Sequence, residues 1–210
     1  MLSSLPREQQ DEIARLAERY GTPALHNAAL YTGDDYEPLN KPDRYGEVCM
    51  VVRRKQSGRL LTMKKAFYPP ATFRLLTGGI HHGESIYDAL VRETHEETGL
   101  EVTITQFLAI VAYQTENARK TPSFYTFAFL LDEVNGTLGA IDEDEAVESF
   151  REIQPAELPQ LAEHLEHLTH TEQRPHQNLG NWSEWGRFRA VVHRVVWDKL
   201  QSQSNTRASK

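Results

Sequence analysis

Residues 78–100, GGIHHGESIYDALVRETHEETGL, constrain the fold more than any other stretch of the chain. Gly78-Gly79 and Gly83 bracket a turn. Ser85, followed three residues later by Asp88, has the form of a capping-box helix start. Gly99 stands where a helix ends in the left-handed conformation. The segment therefore predicts a turn and then a helix over 85–98. At 100° per residue, Ile86, Ala89 and Leu90 share the face that docks on a core. Glu93, Glu96 and Glu97 continue that face, whereas Asp88 and His95 point away from it.

Carboxylates on a core-facing stripe are costly unless paired or bound to a cation. These three also sit near the negative end of the helix dipole. A divalent metal removes both penalties. Oxygens at i, i+3 and i+4 are hard ligands converging on one point, which suits Mg²⁺ or Mn²⁺. Arg92 lies at the edge of the face, placed to orient one of the glutamates by a bidentate contact. A charged surface helix is the bland alternative; it accounts for Asp88 and His95 but not for three glutamates aligned with Ile86 and Leu90.

In its glycines and charged residues the segment resembles the Nudix box, the signature of hydrolases acting on a nucleoside diphosphate linked to another moiety. Thr94 and Leu100 fill the two positions where the family carries aliphatic residues. The resemblance implies an α/β fold, a Nudix-type α/β/α sandwich with a mixed β-sheet, over residues 45–168. Carried over by position, it implies Glu93 and Glu97 as principal metal ligands, Glu96 assisting, Arg92 holding a glutamate in place, and the Gly78 carbonyl as an added ligand. In the family an acidic residue from a later loop often completes the site. The run Asp142-Glu143-Asp144-Glu145, then Glu148, supplies candidates, with Glu145 first by position. A merely solvated acidic loop is the alternative.

Around this segment the 210 residues suffice for one domain with elaborations: 1–44 as an N-terminal helix and extended lead-in, 45–168 as the central domain, and 169–210 as a loop and C-terminal helix packed on it. A net charge of −7 argues against nonspecific nucleic-acid binding by bulk charge. The single cysteine, Cys49, rules out an internal disulfide framework and fits a reducing cytoplasm. No apolar run approaches membrane-spanning length, and no signal pattern opens the chain.

An N-terminal helix is expected over 6–20, with Ile13, Leu16, Ala17 and Tyr20 as its stripe and Gly21 at its end. Residues 22–44 show no period. Strands are expected over 48–54 and 59–65, joined around Gly58, then over 73–77, 102–113, 124–131 and 147–153. A short helix is expected from Pro155 to about residue 168, a loop over 169–181, and a C-terminal helix to about Leu200 on Trp185, Phe188, Val192, Val195 and Val196. Residues 201–210 read as a frayed tail. The stripes of the terminal helices fit either a monomer core or a homodimer interface.

The loop 66–72, with Phe67 and Tyr68, fits a base-stacking pocket or a rigid turn equally. Arg53, Arg54 and Lys55 read as a solvated cationic turn, and His164, His167 and His170 as scattered surface histidines. His81-His82 reads as a plain turn. Tyr113 and Glu116 lie at a distance from the box where residues help Nudix enzymes choose substrate, and no specific substrate pattern fits there. Trp182, Trp185, Phe188 and Trp197 read as core or interface packing in preference to a nucleotide-stacking surface.

The reading that follows is a metal-dependent pyrophosphohydrolase, with a glutamate of the box or of the 143–148 loop taking a proton from water. The substrate class is a small nucleoside diphosphate derivative, with ADP-ribose or a nucleotide sugar ranked ahead of dinucleoside polyphosphates, oxidised triphosphates and capped RNA. The alternatives are a silent Nudix-fold nucleotide sensor and an interaction protein built on the terminal helices.

Overall fold

The computed structural model describes residues 2–30, 44–115, 124–169 and 182–208. Its elements run, in chain order, α1 (Arg7–Tyr20), β1 (Ala24–Leu30), β2 (Arg44–Arg53), β3 (Leu60–Lys65), β4 (Leu76–His81), α2 (Ile86–Thr98), β5 (Leu100–Thr115), β6 (Phe124–Gly136), β7 (Val147–Ile153), α3 (Leu158–Glu166) and α4 (Trp182–Ala208). The strands form one mixed sheet ordered β1-β5-β6-β2-β3-β7, and β4 pairs separately with β2. The β1–β5 and β2–β6 pairs are parallel and the others antiparallel.

The run Val48-Cys49-Met50-Val51-Val52 explains why β2 is central, since every one of these side chains is buried. Successive residues of a strand face opposite sides, so such a run needs cover on both. Val48, Met50 and Val52 pack in one layer with Ile13 and Leu16 of α1 and Ile86, Ala89 and Leu90 of α2. Cys49 and Val51 face the other layer, with Leu158 and Leu161 of α3 and Phe188, Val192 and Val196 of α4. Each fully buried aliphatic side chain contributes roughly 1.5–3 kcal/mol. The α/β/α sandwich expected from sequence is what these layers form, and the stripes of both terminal helices pack on this chain's own sheet.

Three elements differ from expectation. Residues 22–30 contain a strand, β1, in register with β5 from Ala24↔Ala109 to Leu30↔Thr115. Its burial alternates only at its end, at Ala28 and Leu30, so it carries little period to read. The strand expected over 73–77 lies a few residues later, as β4, with Arg74 forming only an isolated bridge to Met63. The C-terminal helix continues to Ala208, through the stretch read as a frayed tail. Most of the lead-in (31–43), the loop positions 116–123 with Glu116, and residues 170–181 with His170 lie outside the described residues.

The weaker features resolve into packing. Tyr68 is buried, its ring 4.8 Å from that of Trp185 and 6.1 Å from that of Trp182. Tyr113 is fully buried against Phe188. Arg53 makes two hydrogen bonds to Asp132, and Arg54 pairs with Glu133 at 2.8 Å, closing the β2–β3 connection onto β6. His167 donates to the Glu163 carbonyl at 2.7 Å. His81 and His82 are exposed.

Polar side chains tie α4 to the strands that carry the site. Arg189 donates to both oxygens of Glu47 (2.7 and 2.6 Å) and to the Thr77 hydroxyl (2.9 Å), while the Thr126 hydroxyl donates to Glu47 (2.9 Å). His193 is fully buried one turn further along. Its Nε2 accepts the Leu75 N–H at 2.9 Å and its Nδ1 lies 2.7 Å from the Arg189 carbonyl. Those two partners require the neutral ring with its proton on Nδ1. Burial lowers the pKa of His193 from 6.5 to about 3, and the nearby Arg74 and Arg189 charges add to that.

A base whose pKa is depressed on folding stabilises the native state above its unfolded pKa, and loses that stabilisation as pH falls toward the folded value. The melting temperature is therefore expected to fall as pH drops from 6.5 toward 3. In His193→Gln, whose amide oxygen can still accept the Leu75 N–H, calorimetry across that range should find a shallower slope. An unchanged slope would rule out His193 as the source.

Candidate active site

The site begins at the helix predicted from the glycines and caps. The Asp88 N–H bonds the Ser85 hydroxyl at 3.0 Å, and that hydroxyl donates to the Asp88 carboxylate at 2.7 Å. Gly99 ends α2 at φ 65°, its N–H on the His95 carbonyl. Between these caps Glu93 and Glu97 are buried, Glu96 is half-buried, and Asp88 and His95 are exposed. Thr94 is buried at one of the aliphatic positions, its hydroxyl satisfied by the Leu90 carbonyl at 2.6 Å. The facing argument thus holds residue by residue.

Arg92 does more than expected. Its Nε and Nη2 donate to the two oxygens of Glu84 (2.7 and 2.9 Å), and Nη1 donates to Glu93 (3.0 Å) and Glu96 (2.9 Å). A second Nη2 bond reaches the Gly79 carbonyl at 3.0 Å. A guanidinium has five N–H donors, and all five are used. One side chain therefore locks three glutamates and the turn before the helix. Glu84 also accepts the His81 N–H at 3.0 Å, and its pKa is lowered chiefly by its Arg92 hydrogen bonds. Sequence reasoning assigns Glu84 no role; its spacing from Arg92, eight residues, is the available signal.

Gly78 runs beside Glu93. A Cβ at residue 78 would lie 2.0 Å from Glu93 Cδ, so only glycine leaves room for the carboxyl in this position. Burial raises the Glu93 pKa, against the opposing pull of Arg92. Glu97, one turn on, is wholly buried, and among the described residues neither of its oxygens has a hydrogen-bond partner. Burial pushes its pKa up to about 8 in spite of Lys65 and Arg74. The ammonium of Lys65 stands 3.4 Å from Glu97 Oε1.

The acidic run reaches the site from the far side. The Gly139 N–H bonds the Thr98 carbonyl at 3.0 Å and the Ile141 N–H bonds the Glu96 carbonyl at 2.9 Å, so this loop satisfies the last turn of α2. It then delivers Glu145 onto Lys65, Nζ to Oε2 at 2.6 Å. Burial alone would raise the Glu145 pKa, but Lys65 outweighs it and the net shift is downward. Ala146 follows at φ 50°, a conformation costing an L-residue about 1–2 kcal/mol. Beside it the β3–β7 register shifts between Lys64 and Lys65, and Glu148 pairs with Lys64 at 2.6 Å. Strain and bulge together aim Glu145 and Glu148 at different lysines. Asp142 and Asp144 stay with the loop, the Asp144 N–H on Asp142 Oδ1 at 2.9 Å.

Glu93, Glu96, Glu97, Glu145, Gly78 and Arg92 therefore share one region, with Lys65 and Glu84 added by the structure. Among the described residues no three acidic, histidine or cysteine side chains are already poised around a common metal position. The donor set nevertheless fits a hard divalent cation. Two oxygens of a buried carboxyl are unpartnered, a glycine leaves space at Glu93, and carboxylates outnumber the cations among them. No helix among the described residues is long and apolar enough to cross a membrane.

Lysine at residue 92 offers three donors where arginine offers five, and no planar fork. Arg92→Lys is expected to lower stability by about 1–2 kcal/mol, read from urea unfolding. Wild-type stability would mean that the five bonds are not held in solution.

The family profile described as NUDIX domain matches residues 44–174 of this chain. A relative from Arabidopsis thaliana, Nudix hydrolase 19, chloroplastic, is 42% identical over 55 residues, which cover 26% of this chain and 13% of that protein. The chain thus spans only a small part of the length of that relative. Among solved structures, a C. elegans Ap4A hydrolase binary complex is 19% identical over 57% of this chain and 86% of its own, with a TM-score of 0.43. An ADP-ribose pyrophosphatase from Streptococcus suis is 16% identical over 73% of this chain and 89% of its own, also with a TM-score of 0.43.

Proposed function

The chain belongs to the NUDIX domain family, and from that premise we propose that it is a metal-dependent pyrophosphohydrolase acting on a small nucleoside diphosphate derivative, of the ADP-ribose or nucleotide-sugar kind. The observation that carries the reading is Glu97, a fully buried carboxyl with two unpartnered oxygens, flanked by Glu93 and Glu145. A protein that only packs a helix on a sheet has no use for such a group, because an apolar residue would stabilise it better.

Glu93 and Glu97 would hold the cation, with Glu96 and the Gly78 carbonyl completing its oxygen ligands. Mg²⁺ or Mn²⁺ bound there supplies neutralisation of a diphosphate and acidification of water. Arg92 is a positioning residue: it keeps Glu93 and Glu96 oriented and ties them to the Gly79 peptide. Glu145 takes the proton of the attacking water, its pKa held down so that it is ionised and ready to accept. The water oxygen forms a bond to phosphorus while the bridging P–O bond breaks. A nucleoside monophosphate and a phosphorylated remainder leave.

The test is turnover of a panel of nucleoside diphosphate derivatives with Mg²⁺ or Mn²⁺ and with chelator, reading released monophosphate. Cleavage that depends on added metal is expected, and Glu97→Gln should reduce kcat/KM at least about 100-fold. Full activity in Glu97→Gln with metal present would overturn the assignment.

A further inference from the structure

Lys65 is a basic side chain in a position the hydrolytic scheme leaves without a task. It is largely buried, with 14% of its side chain exposed, and reaches the same two carboxyls from the sheet that α2 and the acidic loop reach from above. Its contacts are unequal. The bond to Glu145 is short, 2.6 Å, whereas Glu97 stands at 3.4 Å as an ion pair without a hydrogen bond. Attraction across that gap is electrostatic, and it is the nearest cationic charge offered to an otherwise unpartnered buried carboxyl. The arrangement is built into the backbone. The bulge between Lys64 and Lys65, the left-handed Ala146 and the Ala66 N–H on the Ala146 carbonyl at 2.9 Å together set Lys65 against Glu145 and send Lys64 to Glu148.

We propose that Lys65 is the resident counter-cation of the metal-free site, holding Glu145 against Glu97 until a divalent cation takes the Glu97 oxygens and displaces its ammonium. This rests on the pyrophosphohydrolase reading and adds to it a built-in competitor for the metal. The physical reason is mutual exclusion. A divalent ion at about 2.0–2.2 Å from a carboxylate oxygen occupies the space an ammonium needs, and two cations that close repel. Lys65 and the metal are then negatively coupled ligands of the Glu97 carboxylate, and linkage makes that coupling measurable from either side. Lys65 is thus a positioning residue in the empty protein.

The experiment is titration calorimetry of Mg²⁺ and Mn²⁺ into chelator-stripped full-length protein, for wild type, Lys65→Met and Lys65→Arg. Lys65→Met is expected to bind metal about tenfold more tightly than wild type and to be less thermally stable when metal-free, with the stability difference shrinking at saturating metal. Lys65→Arg, which keeps the charge, should bind close to wild type. Equal or weaker metal binding in Lys65→Met overturns the proposal. Should that variant fail to fold, the wild type still decides. Acetic anhydride labelling should modify Lys65 more with saturating Mg²⁺ than with chelator, while the reactivity of Lys64 is unchanged. Lys65 labelling indifferent to metal overturns the proposal. Failure of wild type to bind either metal overturns this proposal and the metal-dependent reading together, whereas tight wild-type binding with no Lys65 effect overturns this one alone.

Discussion

Glu97 presents its carboxyl to the interior of a sandwich, fully buried and, among the described residues, without a hydrogen-bond partner. Everything around it follows from the cost of that position. Lys65 is held close from β3, Glu145 is brought in by a loop with a strained alanine, and Arg92 spends four of its five hydrogen bonds on neighbouring carboxylates. A strand, a loop and α2 itself thus converge on one residue of α2. A cluster so rich in anions is tolerable in a small domain because Arg92 is shared among three of its carboxylates and Lys65 stands between two more.

The sheet supplies the rigidity this matching needs. β2 is buried on both faces and pairs with β6, β3 and β4, so Gly78 is pinned opposite Val48 and meets Glu93 at a fixed separation. On the opposite layer α4 anchors the approach to β4 twice, through Arg189 on Thr77 and through His193 on the Leu75 N–H. From that layer the C-terminal helix fixes the strand that leads into the site. This gives the elements added around the central domain a structural purpose independent of any partner.

Helices were the most legible part of the sequence. The 85–98 prediction differs from α2 by one residue, because caps, period and terminal glycine are all local. The β5, β6 and β7 runs were readable from β-rich composition, and β7 spans the residues expected for it. β1 was not readable: a short edge strand with most of its side chains exposed has no period, and its identity comes from pairing with β5, some eighty residues away. Lys65 was missed for a related reason. In sequence it is one of two lysines ending an apolar strand, indistinguishable from a solvated cation, and its partner Glu145 lies 80 residues further on.

By itself, the sequence determined where the helix at the site begins and ends, which of its faces is apolar, and therefore that Glu93 and Glu97 would be buried while Asp88 and His95 would not. Those outcomes depend on dihedral preferences and a period of 3.6, which act within a few residues of one another. Only the tertiary structure decided what stands opposite those glutamates: Lys65 and Glu145 across the gap, Arg92 shared among three carboxylates, and His193 holding the lead into β4. Charge pairing and hydrogen bonding act over a few ångströms of space, and no local rule of the chain says which distant residues will come to occupy that space.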